Sequence, residues 1–281
     1  MEVLGDVVAR DRRSGSPALR VPAVGRRYDY RRFCTTTWKV GNFLRYLGVR
    51  RGAGVAIADD PLPEPVSTFY GAGLLGAVAR FGSPEPTEVI AQEVRALVVP
   101  AEALGRYECR PTTKRVAYGG RPGDPTVAHF ERDVWSENPT EPPDRVSPDD
   151  PLLRTAGRTY THAQVLATAA SVVEAWGLGQ GSVVAVAGPF TDPGVVAAGL
   201  VAPLVAGAEV VLVDRSAVVD GDPTESRDTG VAEIDDSDAD SAVAEASSGG
   251  PTGGVDGAPD LVVGGPDSDV DTDTLLPGAE D

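Results

Sequence analysis

Apolar residues recur at helical spacing between residues 28 and 48, and shorter continuous apolar runs come after them. A spacing of three or four residues places side chains on one face of a helix. Gly48 then acts as a helix stop. The apolar positions of this stretch are Phe33, Val40, Phe43, Leu44 and Leu47. The pattern predicts an amphipathic helix over 28–48.

The next elements alternate between strand and helix. VAIA (55–58) and ALVVP (96–100) are short apolar runs of the kind that buried strands show. Between them, the longer apolar stretch VSTFYGAGLLGAVA (66–79) predicts a second helix. Helices alternating with buried strands are typical of an α/β fold, in which helices flank a parallel sheet.

The same order of residues returns later in the chain. GRRYDYRRF (25–33) matches GRTYTHAQV (157–165), and LGVRRGAGVAIA (47–58) matches WGLGQGSVVAVA (176–187). GLLGAVARFG (73–82) likewise has a counterpart in 199–208, before the strand candidate EVVLVD (209–214). Self-similarity at a long interval predicts two related α/β subdomains that superpose over these segments.

These patterns divide the chain into four segments. Residues 1–104 form the first α/β subdomain, and 151–215 form the second. Residues 105–150 form a proline-rich connector in which RVAYGG (115–120) is the clear strand candidate. Residues 216–281 form an acidic tail.

Charge is concentrated in this tail. Residues 216–281 hold 18 acidic residues and one base, Arg227, a net charge of −17, whereas residues 1–215 are neutral. Few apolar residues offset the entropy of ordering, so we expect the tail to be mostly disordered. VAEI (231–234) and DLVVGG (260–265) are its strand candidates. A neutral body with an acidic tail offers no basic footprint for nucleic acid and is repelled by anionic lipid.

Composition also indicates a source and a compartment. The chain has 23 arginines and two lysines, which suits a halophilic archaeon, although a GC-rich genome produces the same bias. Its N-terminus lacks the apolar stretch of a signal peptide, and the uncharged run 194–208 is too short to span a bilayer. The two cysteines, Cys34 and Cys109, are not in a metal-binding pattern. We expect a cytoplasmic protein with no metal site.

Three segments resemble adenylate-forming enzymes, the group that includes acyl-CoA synthetases, luciferases and peptide-synthetase adenylation domains. Residues 17–58 resemble the family's opening, and RVSPDDPLLRTAGRT (145–159) resembles the lead-in to its phosphate loop. Residues 161–214 resemble the family's segment after that loop. The resemblance spans about 15–215, and it implies a fold of two related α/β subdomains.

The resemblance implies that LLRTAGRTYTH (152–162) is a phosphate loop that has lost half of its length. Thr155, Gly157, Arg158 and Thr159 match the first half of the family's loop, whereas the glycine- and lysine-bearing second half is missing. That half wraps the phosphates with backbone N–H groups and supplies a cation. The competing interpretation, supported by the match to 25–33, is an ordinary strand-to-helix turn.

The other family motifs are incomplete. PFTDPG (189–194) resembles the family's acyl-pocket segment through Phe190 and Gly194, with Thr191 or Asp192 in place of a histidine. The family's adenine, ribose and magnesium motifs have no match. The only two lysines, Lys39 and Lys114, lie upstream of the loop, so the family's catalytic lysine is also missing. The sequence therefore predicts no catalytic residue.

We expect a truncated, catalytically inactive relative of the AMP-forming acyl-CoA synthetases that needs no cofactor. Such a chain could bind or regulate a full-length adenylate-forming enzyme. The alternative is a divergent acyl- or aryl-CoA ligase, completed by a second polypeptide and using ATP, Mg²⁺ and CoA. A third hypothesis, a gene product with no selected role, also stays open at this point.

Overall fold

A computed structural model describes residues 1–82, 94–214 and 259–264. This part of the chain forms strands and helices in alternation, as the apolar pattern predicts. The strands are β1 (Pro17–Val21), β2 (Arg26–Asp29), β3 (Gly54–Ile57), β4 (Val78–Phe81), β5 (Val94–Pro100), β6 (Lys114–Tyr118), β7 (Ala128–His129), β8 (Pro151–Arg154), β9 (Thr159–Thr161), β10 (Val183–Val186), β11 (Glu209–Leu212) and β12 (Leu261–Val263).

The two longest helices begin at side-chain caps that the sequence provides. The Asp29 side chain accepts a hydrogen bond from the Arg32 N–H, and Thr161 caps the later helix through Gln164. A π-helical stretch, Val196–Val201, lies between the last two helices. The helices are α1 (Tyr30–Tyr46), α2 (Pro63–Gly73), α3 (Phe130–Trp135), α4 (His162–Trp176), α5 (Pro193–Val195) and α6 (Ala202–Ala206).

Two sheets of mostly parallel strands result, flanked by helices. The larger has the order β7-β6-β5-β3-β4-β8-β9, and the smaller has the order β12-β10-β11-β1-β2. This mixed α/β architecture confirms the predicted fold class. Both sheets end in an antiparallel hairpin, β8–β9 in the larger and β1–β2 in the smaller.

The two units form the same backbone hydrogen bonds at equivalent positions. Ala58 N–H donates to the Val98 carbonyl at 2.9 Å, and its counterpart Ala187 N–H donates to Val263 at 3.0 Å. Both hairpins shift register at the same place, between Pro17 and Leu19 and between Pro151 and Leu153. The predicted repeat is therefore confirmed, and it extends beyond the matched sequences to the hairpins and to β12.

The repeats exchange their hairpins. β1 of the N-terminal unit pairs in parallel with β11, and β8 of the later unit pairs in parallel with β4. Each sheet therefore contains strands from both predicted subdomains, 1–104 and 151–215. The boundaries of these subdomains stay a prediction. The buried hydroxyl groups of Tyr30 and Tyr70 add to the connection, because they donate at 2.8 Å to the carbonyls of Ala208 and Leu200.

The prediction of one helix over 66–79 is wrong at both ends. α2 begins at Pro63, since a proline in the first turn has no N–H that needs a partner. It ends at Gly73, and Gly76 takes a left-handed conformation with φ of 62°. The chain then enters β4, where Val78 pairs with Gly54 of β3.

The connector 105–150 holds more structure than its composition suggests. It contains β6, the expected strand, together with β7 and α3. Its end is fixed to the body, because Arg51 Nε donates to Asp150 at 2.9 Å and Arg45 forms an ion pair with Asp144.

The predicted acidic tail lies mostly outside the described residues, as does the strand candidate 231–234. The described piece, 259–264, contains the other strand candidate, 260–265, except for its last residue. β12 pairs in parallel with β10, and its Leu261 and Val263 are fully buried.

Candidate functional site

The predicted phosphate loop is the turn of the β8–β9 hairpin. The Thr155 N–H donates to the Arg158 carbonyl at 2.8 Å, so the backbone closes on itself. Gly157 is exposed, and a Cβ added to it would meet no atom within 4 Å. Thr159 accepts a hydrogen bond from Arg154 Nε at 3.3 Å. The interpretation as a strand-to-helix turn is corrected: the turn joins two strands, and α4 begins only at His162.

The repeat explains this turn structurally. Its counterpart joins β1 to β2, where Gly25 has a φ of 62°. In both units the second hairpin strand leads directly into a capped helix. A turn at this position is therefore a feature of the repeated unit.

Arg158 is the cation of this turn. Its guanidinium carbon lies 4.9 Å from the centre of the Tyr160 ring. Its Nη1 atom is buried and has no hydrogen-bond partner among the described residues. A buried, unpaired donor of this kind is costly, and an anion would satisfy it.

A second candidate site lies where the connections of the larger sheet change direction. From β3 the chain crosses to β4 on one side, and the later strands β5, β6 and β7 lie on the other. In open α/β sheets, ligands bind at this switch point, outside the carboxyl ends of the strands. Asp59 and Asp60 come directly after β3, so they lie at this point.

Two neighbours engage these carboxylates. The Tyr118 hydroxyl, at the end of β6, donates a short hydrogen bond to Asp60. Burial raises the pKa of Tyr118 well above its ordinary value, and the bond to Asp60 raises it further, so the phenol keeps its proton. The Phe190 N–H donates to Asp59 at 2.8 Å.

The predicted acyl-pocket segment therefore packs onto this switch point. The buried Phe190 ring stands 5.3 Å from the Phe81 ring, centre to centre. Thr191 crosses close over Gly82, where an added Cβ would lie 2.8 Å from its methyl group. Gly194 is buried at the start of α5, and its N–H donates to Asp192 at 2.7 Å.

Both predicted sites lie at one edge of the larger sheet. β8, β4 and β3 are parallel neighbours, so their carboxyl ends share an edge. The turn after β8 and Asp59 after β3 are two strand spacings apart, about 10 Å. Asp59, Asp60 and Tyr118 were missed from sequence, although an Asp pair directly after a buried strand is a visible signal.

The part of the chain that the structure describes contains no group of three or more His, Cys, Asp or Glu residues placed to hold a metal ion. Within the same residues, no helix has the length and apolar character that crossing a membrane requires.

Comparison with known proteins identifies solved structures with a similar fold. No protein-family model and no curated protein matches the sequence. Among solved structures, the anthranilate CoA ligase AuaEII in complex with anthranoyl-AMP matches with a TM-score of 0.66 and 23% identity, over 75% of this chain and 45% of that one. The N-terminal domain of FACL13 from Mycobacterium tuberculosis matches with a TM-score of 0.62 and 19% identity, over 76% and 57%.

A nonribosomal peptide synthetase, FmoA3, matches with a TM-score of 0.61 and 17% identity, over 75% of this chain and 22% of that one. The chain thus has the fold of the N-terminal part of adenylate-forming enzymes. It spans about half the length of the ligase AuaEII and of the FACL13 domain.

Proposed function

We propose that the protein is a non-catalytic relative of the AMP-forming acyl-CoA ligases that acts by binding rather than by chemistry. The observation that carries this proposal is the closed hairpin turn. Thr155 and Arg158 are hydrogen-bonded to each other across the turn. Holding a triphosphate needs several N–H groups directed at the ligand, with a cation beside them.

The charges at the switch point support the same proposal. Asp59 and Asp60 put two carboxylates there, and like charge disfavours the phosphates of ATP. The segment with Phe190 already packs over Asp59. No lysine comes after Lys114 in the sequence to offset these charges.

The proposed role is to bind a full-length adenylate-forming enzyme. It rests on the N-terminal fold that the chain shares with these enzymes. The test mixes the purified chain with a full-length acyl-CoA ligase from the same organism. Comigration on a sizing column, with a change in ligase rate, supports the role; separate elution and an unchanged rate contradict it.

Nucleotide binding tests the non-catalytic character. Calorimetric titration with MgATP in high salt should give no heat of binding. The comparison variants are Arg158→Ala and Arg154→Ala, two arginines at the same hairpin. Binding that Arg158→Ala abolishes and Arg154→Ala preserves would contradict the proposal.

One observation favours an alternative, a divergent acyl- or aryl-CoA ligase completed by a second polypeptide. The buried, unpartnered Nη1 of Arg158 lies where the resemblance places a phosphate loop. In this alternative Arg158 replaces the missing lysine, and MgATP and CoA are the cofactors. A loss of ATP binding in Arg158→Ala but not in Arg154→Ala is the result that would support it.

A further inference from the structure

A groove of about 610 Å³ lies between α1, β2 and α3. Its floor is one face of α1, where residues three or four positions apart are neighbours. Its cationic residues include Arg13, Arg31, Arg32 and Lys39. We call this surface the α1 groove.

Three of the cations in the α1 groove lie over aromatic rings. Arg32 lies 4.7 Å from the centre of the Tyr28 ring, and Lys39 lies 5.0 Å from that of Trp135. Arg13 lies over Trp38 at 5.4 Å. Within the described residues, none of the four cations forms an ion pair with a carboxylate.

The acids of the groove have other partners. Asp29 caps α1, Glu64 pairs with Arg26, and Glu131 accepts the Gly119 N–H at 2.7 Å. Trp135 stands at the groove with 79% of its surface exposed. The groove therefore offers uncompensated positive charge beside an exposed apolar ring.

We propose that residues 271–281 of the same chain dock in the α1 groove. Acids alternate with other residues at Asp267, Asp269, Asp271 and Asp273. In an extended segment, alternate side chains point to one side, so the carboxylates of Asp271 and Asp273 would face the cations together. Leu275 and Leu276 come next and supply apolar contacts for Trp135.

The segment is long enough to reach the groove. Gly264 comes directly after β12 at one side of the smaller sheet, and β2 is the strand at the opposite side. Four strand spacings separate them, about 19 Å. Arg26, the first residue of β2, pairs with Val21 at the carboxyl end of β1. Gly264 follows the carboxyl end of β12, so both residues lie at the same edge of the smaller sheet. Residues 271–276 begin seven positions beyond Gly264, a span of about 24 Å of extended chain.

Acrylamide quenching of Trp135 fluorescence tests this docking in the full chain. A Trp176→Phe background removes the other exposed tryptophan, because Trp38 is buried. Asn replaces Asp267, Asp269, Asp271 and Asp273 in the test variant. The matched control replaces Asp235, Asp236, Asp238 and Asp240.

At about 0.01 M salt, where charges act over about 30 Å, docking should shield Trp135. If the segment occupies the groove half of the time, the test variant should raise the quenching constant roughly two-fold, and the control variant should leave it unchanged. Arg31→Glu with Arg32→Glu should reproduce the rise. Salt near 1 M should remove the difference by screening.

Equal quenching in the test and control variants would overturn the proposal. Shielding of Trp135 that disappears on dilution would also overturn the proposal, because a second copy of the chain would then occupy the groove. Equal melting temperatures of the variants exclude unfolding as the cause of a rise.

Discussion

His162 is a completely buried histidine at the start of α4. Its Nδ1 accepts the Leu4 N–H at 3.0 Å, which ties the N-terminal segment to the second unit. Burial lowers the pKa of His162 to about 4, against an ordinary value of 6.5. The folded protein therefore holds this side chain neutral, and the unfolded chain protonates it first.

This difference predicts a loss of stability in mild acid. Between pH 6.5 and pH 4 the unfolded state binds the extra proton, so the free energy of unfolding falls as the pH falls through that window. At about pH 5 the loss from this residue is on the order of 2 kcal/mol. Urea unfolding near pH 7 and pH 5 measures it.

His162→Asn is the control, because its amide oxygen replaces Nδ1 as the acceptor without titrating. The variant should lose about 2 kcal/mol less than the wild type between the two pH values. Equal losses would show that His162 does not titrate in this window.

At this residue scale, sequence reasoning located the candidate segments but not their chemistry. Arg158 was identified as the cation of its loop, and the burial of its Nη1 atom could not be read from the sequence. Asp60 and Tyr118 are 58 positions apart, and only the packing of β3 and β6 around β5 brings them together.

At the scale of elements, β12 is the least expected part of the fold. Three residues from an acidic segment complete the edge of the smaller sheet beside β10. Leu261 is fully buried, whereas Val262 is only half-buried on the opposite face. The core therefore needs this strand although it is distant in sequence from its neighbours.

We predict that Leu261→Ala lowers the free energy of unfolding by about 2 kcal/mol or more, because it removes buried methyl groups and leaves a cavity. Val262→Ala is the matched control and should cost no more than about 1 kcal/mol. Chemical denaturation of both variants measures the difference. Equal small losses would mean that β12 contributes little to the sheet.

Local signals predicted the elements best where caps and periodicity agree, as in α1 with Asp29 and α4 with Thr161. They failed at 66–79, where a continuous apolar run holds both a helix and a strand. Both elements are buried, so periodicity could not separate them, and the left-handed Gly76 marks the break.

At the scale of the molecule, the internal repeat predicted two related units but not how they combine. The hairpin exchange depends on β8 pairing with β4 and on β1 pairing with β11. The sequence of a strand does not by itself determine which strand it pairs with. The solved structures with this fold include a CoA ligase, yet likeness of fold does not establish activity. Whether the chain performs adenylation therefore depends on the turn and the switch point.

Carboxylate-dependent exchange of pyrophosphate into ATP measures that activity most directly. The assay runs the full chain in high salt with a panel of fatty and aromatic acids. Losing one charge-stabilising group typically slows such chemistry on the order of 10²–10³-fold, and several family positions are missing here together. We predict no exchange above background. Clear exchange that Arg158→Ala abolishes and Arg154→Ala retains would contradict the account and identify a working ligase.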